Sequence, residues 1–462
     1  MNSDLVDQIL RQLTLAALTL PDPRPRPKLI DLGMGWLCGA APKTITSALE
    51  WLKLTEEDWS DDCRLFSQTH WDPQELFSPL LRQALAHPSL ATGPVYFGQD
   101  DTLVRKTGKK ISGAAYMRDP LGPHFQVNLV LGQRFVQTSL LLRPGGPDHP
   151  WRALPVSFTH APTPKIPKGA GPQEQAAFKE IRKKHRASVV ALEQLRFCRG
   201  QLDLQPGGAQ RLLIDVVDGG YANRTFLRGL PEHTDAVARV RKDARLRAFL
   251  PPAQRQGARK YGPGLPTPLE LLRDPAIPWQ TCPVFVAGQW RTLEYKELRQ
   301  VCWPKATADR PLRLIVIKPA GYRLRKGSKL LYREPAFLIT TDLVTPASEL
   351  IAAYLARWEV EVNFRDEKTI VGVGQAQVRH AQSVARAPAF LVACYAMLLW
   401  SCLQVFGDRR TKDFDPLPRW RTVEPARPST RDLIRLLQRQ ALDYQPRQCQ
   451  PPGTPLYTQM RS

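Results

Sequence analysis

The stretch YLARWEVEVNFRDEK, Tyr354 to Lys368, packs seven charged side chains among aromatic and aliphatic ones. It lies within TPASELIAAYLARWEVEVNFRDEK, where Thr345 is suited to cap a helix, Pro346 to open it and Glu349 to occupy its first turn; a helix over about 346–370 is expected, ended by Gly372 and Gly374. At about 100° per residue from Tyr354, Arg357 falls near 300°, Glu361 near 340°, Arg365 near 20° and Lys368 near 320°. Ile351, Leu355, Trp358 and Val362 form an adjacent apolar cluster, whereas Glu359, Asp366 and Glu367 project elsewhere. Glu361 is thus the one acid in a narrow stripe of basic and phenolic residues beside the buried face. The plain reading is an i, i+4 ion-pair network worth a few tenths of a kcal/mol.

The chain around this helix has 462 residues, 43% of them hydrophobic, enough for two or three packed domains. Lys and Arg outnumber Asp and Glu 65 to 43, for a net charge of +22 and a pI near 9.9. That balance points to a polyanion partner, nucleic acid first and an anionic membrane surface second. The eight cysteines are scattered, with no C-x-x-C pair or histidines at zinc-ligand spacing. The amino-terminal MNSDLVDQIL carries acids where a secretory signal has basic residues, so a cytoplasmic location is expected. Ala387 to Gly407 is uncharged and about long enough to span a bilayer, but as the sole such segment, with Pro388 and small residues, it reads as a buried core helix.

Residues 1–88 carry apolar residues at helical spacing, with Thr44, Asp58 and Asp72 placed as caps and an extended proline linker, LPDPRPRPK; this is an all-α domain that binds DNA or merely packs. From Pro94 the period changes. VYFGQDDTLV, HFQVNLVLG and RFVQTSLLL read as three strands, the last two as a hairpin, and residues 173–197 read as one long helix. QRLLIDVVD is a buried strand ending at the turn GGY, and DAVARVRKDARL reads as another strand. The expected α/β organisation is a mixed-sheet core over 89–247, a β-rich insertion over 248–333, the core resumed over 334–407 and a loosely ordered tail over 408–462.

Two strand ends offer acids. Asp100 and Asp101 point to opposite faces of their strand, so at most one reaches any given site. Asp215 sits inside an apolar run where a charge is costly, while Asp218 stands at the strand's end before Gly219 and Gly220, where backbone can turn.

The spacing Tyr354-x2-Arg357-x3-Glu361-x6-Lys368, extended by Gln377-Val378-Arg379, resembles the signature of the YREK group of bacterial insertion-sequence transposases. Those are DDE enzymes with an RNase H-like core interrupted by a β-rich insertion. The resemblance implies Asp101, the aspartate just before Thr102, as the first catalytic carboxylate, Asp218 before Gly219-Gly220-Tyr221 as the second and Glu361 as the third. It further implies two Mg²⁺ or Mn²⁺ ions per site, bridged by Asp101, with Asp218 and Glu361 each holding mainly one; oxygen ligands suit such ions.

In that setting Tyr354, Arg357 and Lys368, with Arg365 beside them, would contact phosphates of the transposon end. Arg105, Lys106, Lys109 and Lys110, and Arg239, Arg241 and Lys242, would line the DNA path. Trp290 or Trp303 would be candidates to stack on a flipped base, against ordinary packing in the insertion. The implied activity is cut-and-paste DNA transposition on terminal inverted repeats and target DNA, by a homodimer on DNA in the bacterial nucleoid, with no membrane involved. The rivals are a DNA-binding relative that no longer cuts and regulates transposition, and a membrane-anchored nuclease.

Overall fold

The computed structural model describes residues 4–443 except 57, 109, 120–121, 123–124, 167–168, 256, 258–259, 287–288, 323–326, 333 and 422–423. Five helices come first: α1 (Asp4–Ala17), α2 (Arg26–Cys38), α3 (Ile45–Leu52), α4 (Ser60–Ser67) and α5 (Ser78–Leu85). α1 buries Leu5, Val6, Ile9 and Leu13, its i, i+4 stripe, against the rest of the protein. Thr44 caps α3 by accepting from the Ser47 amide at 3.0 Å, and Asp58 and Asp72 accept from the amides of Ser60 and Gln74 at 2.9 Å. The proline linker is shorter than expected, because α2 starts inside it with Pro27 in its first turn, where a missing N–H costs nothing. α2 is buried on nearly all sides, and its glycines permit this: a Cβ at Gly35 would lie 2.8 Å from the Cβ of Ala48 in α3.

The sheet follows: β1 (Val95–Arg105), β2 (Ala115–Arg118), β3 (Leu129–Leu142) and β4 (Arg152–His160), then α6 (Pro172–Lys184), α7 (Ala187–Asp203), β5 (Leu213–Val217), α8 (Arg224–Arg228) and β6 (Thr234–Arg239). β3 is antiparallel to β1 and β4, while β1, β5 and β6 run parallel, giving the order β4-β3-β1-β5-β6 of an RNase H-like mixed sheet. The expected hairpin within 124–142 is instead one strand. Gly132 makes no turn; it lets β3 lie close to β1, since a Cβ there would sit 2.8 Å from the Val104 carbonyl oxygen. The expected helix over 173–197 is two, parted at His185.

The β-rich stretch extends this same sheet. β7 (Arg247–Ala248), α9 (Pro268–Arg273), β8 (Gln280–Val286), β9 (Gln289–Cys302), α10 (Pro304–Thr307), β10 (Pro311–Ile317) and the small pair β11 (Gly321–Tyr322) and β12 (Leu331–Tyr332) precede β13 (Ala336–Thr340). β13 pairs antiparallel with β6 on one side and with β10 on the other, and β10 pairs with β9. The chain then forms α11 (Ala347–Ala356), α12 (Trp358–Asp366), a π-helical turn at Glu367–Val371, α13 (Ser383–Phe406) and α14 (Thr430–Leu442). α13, long and apolar enough to cross a membrane, is mostly buried and packs against α1, α2 and β4.

Against the expectation of a loose tail, α14 is capped by Ser429 and buries Leu433, Leu436 and Leu437, an i, i+3, i+4 set among arginines. Residues 444–462 lie outside the described residues, as does Lys109.

Candidate active site

Strand alternation sorts the acids of β1. Tyr96 donates its hydroxyl to Glu349 of α11 at 2.9 Å, and a Cβ at Gly98 would lie 3.2 Å from Val360 of α12, so the even-numbered residues face these two helices. Gln99 donates to the Ala191 carbonyl of α7 at 3.0 Å, so the odd-numbered residues face the other way. Asp100 therefore lies on the side of α12. Asp101 lies on the opposite side, 3.3 Å from the Arg134 guanidinium and within 3.3 Å of the Tyr221 hydroxyl, which donates to it.

The same parity holds in β5. Asp215 is fully buried toward α7, where burial holds its carboxyl well above the usual range against a weak pull from the Val216 amide. Asp218, three residues on with extended backbone, is on the α12 side. The β1–β5 ladder ends at Gln99 beside Val217, so Asp100 and Asp218 are the next neighbours, on adjacent parallel strands and one face.

Glu361 reaches this pair through Arg357. The single helix expected over 346–370 is broken at Arg357, the joint between α11 and α12. Its guanidinium donates through Nη1 to Asp100 at 2.5 Å and through Nη2 to Glu361 at 3.3 Å. Burial raises the Asp100 carboxyl to about 6 against the pull of Arg357, and the charges of Asp101 and Asp218 add to the rise. Burial works against the charge of Arg357, but Asp100, Asp218 and Glu361 together outweigh it and hold the group firmly protonated. The Tyr354 phenol is raised chiefly by burial and sits within the influence of Arg239, Arg357, Asp218 and Glu361. Four of the sequence-selected residues thus converge: Tyr354, Arg357, Asp218 and Glu361.

The others are placed differently. Arg105 pairs with Asp119 at 2.7 Å, and Lys106 donates to the Gly374 carbonyl at 2.8 Å. Burial lowers the Lys368 ammonium, which is 5.9 Å from the Phe364 ring and near enough to Arg105 to be lowered further. Arg365 leaves the stripe: it pairs with Asp366 at 2.9 Å and lines a separate cavity with Arg152 and Arg427. Asp218 also lines a cleft of about 920 Å³ with Arg239, Arg241, Lys242, Lys305 and Trp303, where Asp243 pairs with Arg241 and Glu334 with Arg239. Trp290 is 51% exposed and packs edge-on against Phe285.

Trp358, expected in the apolar cluster, is instead 62% exposed at the start of α12. Of the adjacent pair the sequence reading favoured Asp101, whereas Asp100 is the one on the α12 side. The available signal was parity with Gly98, a small residue where a helix closes on the strand.

The donor set suits a hard divalent cation. It is made of oxygens, and the Arg357 guanidinium supplies positive charge between Asp100 and Glu361, where burial, with a smaller part from Asp101 and Asp218, already pushes the Asp100 carboxyl up. Among the described residues no group of three or more Asp, Glu, His or Cys side chains is close enough to hold a metal ion.

A family model described as "DDE superfamily endonuclease" matches residues 35–310, more than half of the chain. The match takes in Asp100, Asp101 and Asp218 and ends before Glu361. No curated protein matches.

Proposed function

The chain belongs to the DDE superfamily of endonucleases, and on that premise we propose that it is an insertion-sequence transposase of the YREK type, which cleaves and rejoins DNA through Asp100, Asp218 and Glu361. The observation that carries the reading is the placement of these acids: Asp100 and Asp218 side by side where neighbouring parallel strands β1 and β5 leave off pairing, and Glu361 joined to Asp100 through Arg357. Asp100 replaces Asp101 in this assignment because it shares the α12 face, whereas Asp101 is turned toward Arg134 and Tyr221.

Two divalent ions, Mg²⁺ or Mn²⁺, held by these carboxylates would supply charge at the attacking and leaving oxygens and lower the pKa of water or a terminal 3′-OH. The protein's own groups position the DNA. Arg357 joins Asp100 and Glu361 through one guanidinium, a group that would also grip a phosphate oxygen in bidentate fashion. Tyr354 orients a neighbouring phosphate. Arg239, Arg241, Lys242 and Lys305 take the backbone into the cleft beside Asp218, with Trp303 in its wall offering a face for a base and Trp358 a second. Lys368, Arg105 and Lys106 serve the opposite side. Transposition requires two ends, so a dimer on DNA in the bacterial cytoplasm completes the reading.

The test is incubation of the purified full chain with a duplex bearing the inverted repeats that flank its coding region, with Mg²⁺ or Mn²⁺. Nicked ends and strand-transfer products are expected. Binding without cleavage on every such end would favour a regulator of transposition instead, and no binding would overturn both readings.

A further inference from the structure

α6 contributes nothing to the core: none of its thirteen residues, PQEQAAFKEIRKK, is buried. An isolated helix of that length is marginal in water, and its last turn crowds Arg182, Lys183 and Lys184 together just before His185 and Arg186. Favourable charge against the helix dipole offsets only a few tenths of a kcal/mol of that. Taking Lys179 as zero and about 100° per residue, Arg182 lies near 300° and Lys183 near 40°, while Glu174 and Glu180 lie near 220° and 100°. Three cations therefore share one outward stripe, and both acids stand off it.

The surface against the other side of the helix adds two further cations, Lys110 and Lys165. A cleft of about 460 Å³ between α6 and the loop after β1 is lined by Lys110, Lys165, His160 and His185, with no carboxylate among its lining residues. Among the described residues His160 Nε2 is buried there without a hydrogen-bond partner. Burial pushes this imidazole down to about 4, helped by the neighbouring His185 and Lys106. Lys106 in turn touches Gly374, just past the helix of Glu361. From Asp100 to Lys106 is about 20 Å along an extended strand, the rise of roughly six base pairs of duplex.

From these placements we propose that α6, with the cleft beneath it, is a second phosphate-binding surface that grips the flank of the duplex whose scissile bond lies at the carboxylates. The proposal rests on the DNA-cleaving reading above. The contacts are to backbone and independent of sequence, so their signature is a salt dependence rather than a base preference.

The experiment measures affinity of the full chain for a duplex of arbitrary sequence across a range of salt concentrations. Three proteins are compared: the natural chain, the triple variant Lys179→Ala, Arg182→Ala, Lys183→Ala, and a control with equal loss of charge on exposed positions elsewhere, Lys412→Ala, Arg431→Ala, Arg435→Ala. Alanine keeps the helix, and no replaced side chain is buried, so circular dichroism and melting should be unchanged. The slope of log K against log salt is expected to fall in magnitude by about 2–3 for the α6 variant, near 0.9 per lost contact, and to hold for the control. Equal slopes for the natural chain and the α6 variant, or equal falls for variant and control, overturn the proposal while leaving the transposase reading standing. Absence of any salt-dependent binding by the natural chain overturns both.

Discussion

Arg357 and Asp100, 257 positions apart in the chain, share a 2.5 Å hydrogen bond that ties the joint of α11 and α12 to the middle of β1. The same guanidinium reaches Glu361. The contact selects one of two adjacent aspartates as the partner of the helix, and the site's properties follow from it.

If Asp100 is a metal ligand, Asp100→Asn should lower divalent-ion-dependent nicking of supercoiled DNA by about 10³-fold or more, with DNA affinity kept. Asp101→Asn should stay within about tenfold of the natural protein. The reverse result would return the role to Asp101. Glu361→Gln is expected to behave as Asp100→Asn does, binding without cutting.

Arg357→Ala removes the cation between two carboxylates, one of them largely buried. The expected cost in metal-free buffer is about 2–3 kcal/mol, below the usual figure for breaking a fully buried pair because both side chains keep some exposure. A divalent cation should restore more stability to this variant than to the natural chain, and chelation should remove the gain in both. Melting with Mn²⁺ and with EDTA measures this; a smaller Mn²⁺ gain in Arg357→Ala would count against the site as a cation site.

Glu367, in the π-helical turn after α12, is fully buried, and burial raises its carboxyl from the ordinary 4.5 to about 8. The unfolded chain therefore loses this proton first as pH rises, so the group's contribution falls away between about pH 4.5 and 8. Glu367→Gln has no proton to lose. It should melt higher near neutral pH, by about 2–3 kcal/mol in stability, and flatten the stability profile across that window. A variant less stable than the natural chain at pH 7 would show that the ionised carboxylate is accommodated.

Gly374 has φ +98°, and a Cβ there would lie 2.3 Å from Val104 Cγ1. Gly374→Ala should destabilise by about 1–3 kcal/mol and loosen the segment that Lys106 anchors. Hydrogen exchange over residues 372–376 reports the loosening, and unchanged protection there would refute it.

The sequence by itself determined the α/β class, the helix stripe uniting Tyr354, Arg357 and Glu361, and the position of Asp218 at a strand end before two glycines. Those features are local: a 3.6-residue period, a 2-residue period and a turn signal are written in neighbouring residues. It also determined that Asp100 and Asp101 face opposite ways. Which of them meets Glu361 was decided only by tertiary structure, because the two faces of β1 are distinguished by what packs on each, α11 and α12 against even positions and α7 against odd ones. Gly132 shows the same division, since a glycine between two apolar runs signals a turn locally, yet here it answers the close approach of β1. The break at Arg357 belongs with these, since it brings the arginine to a strand 257 positions away.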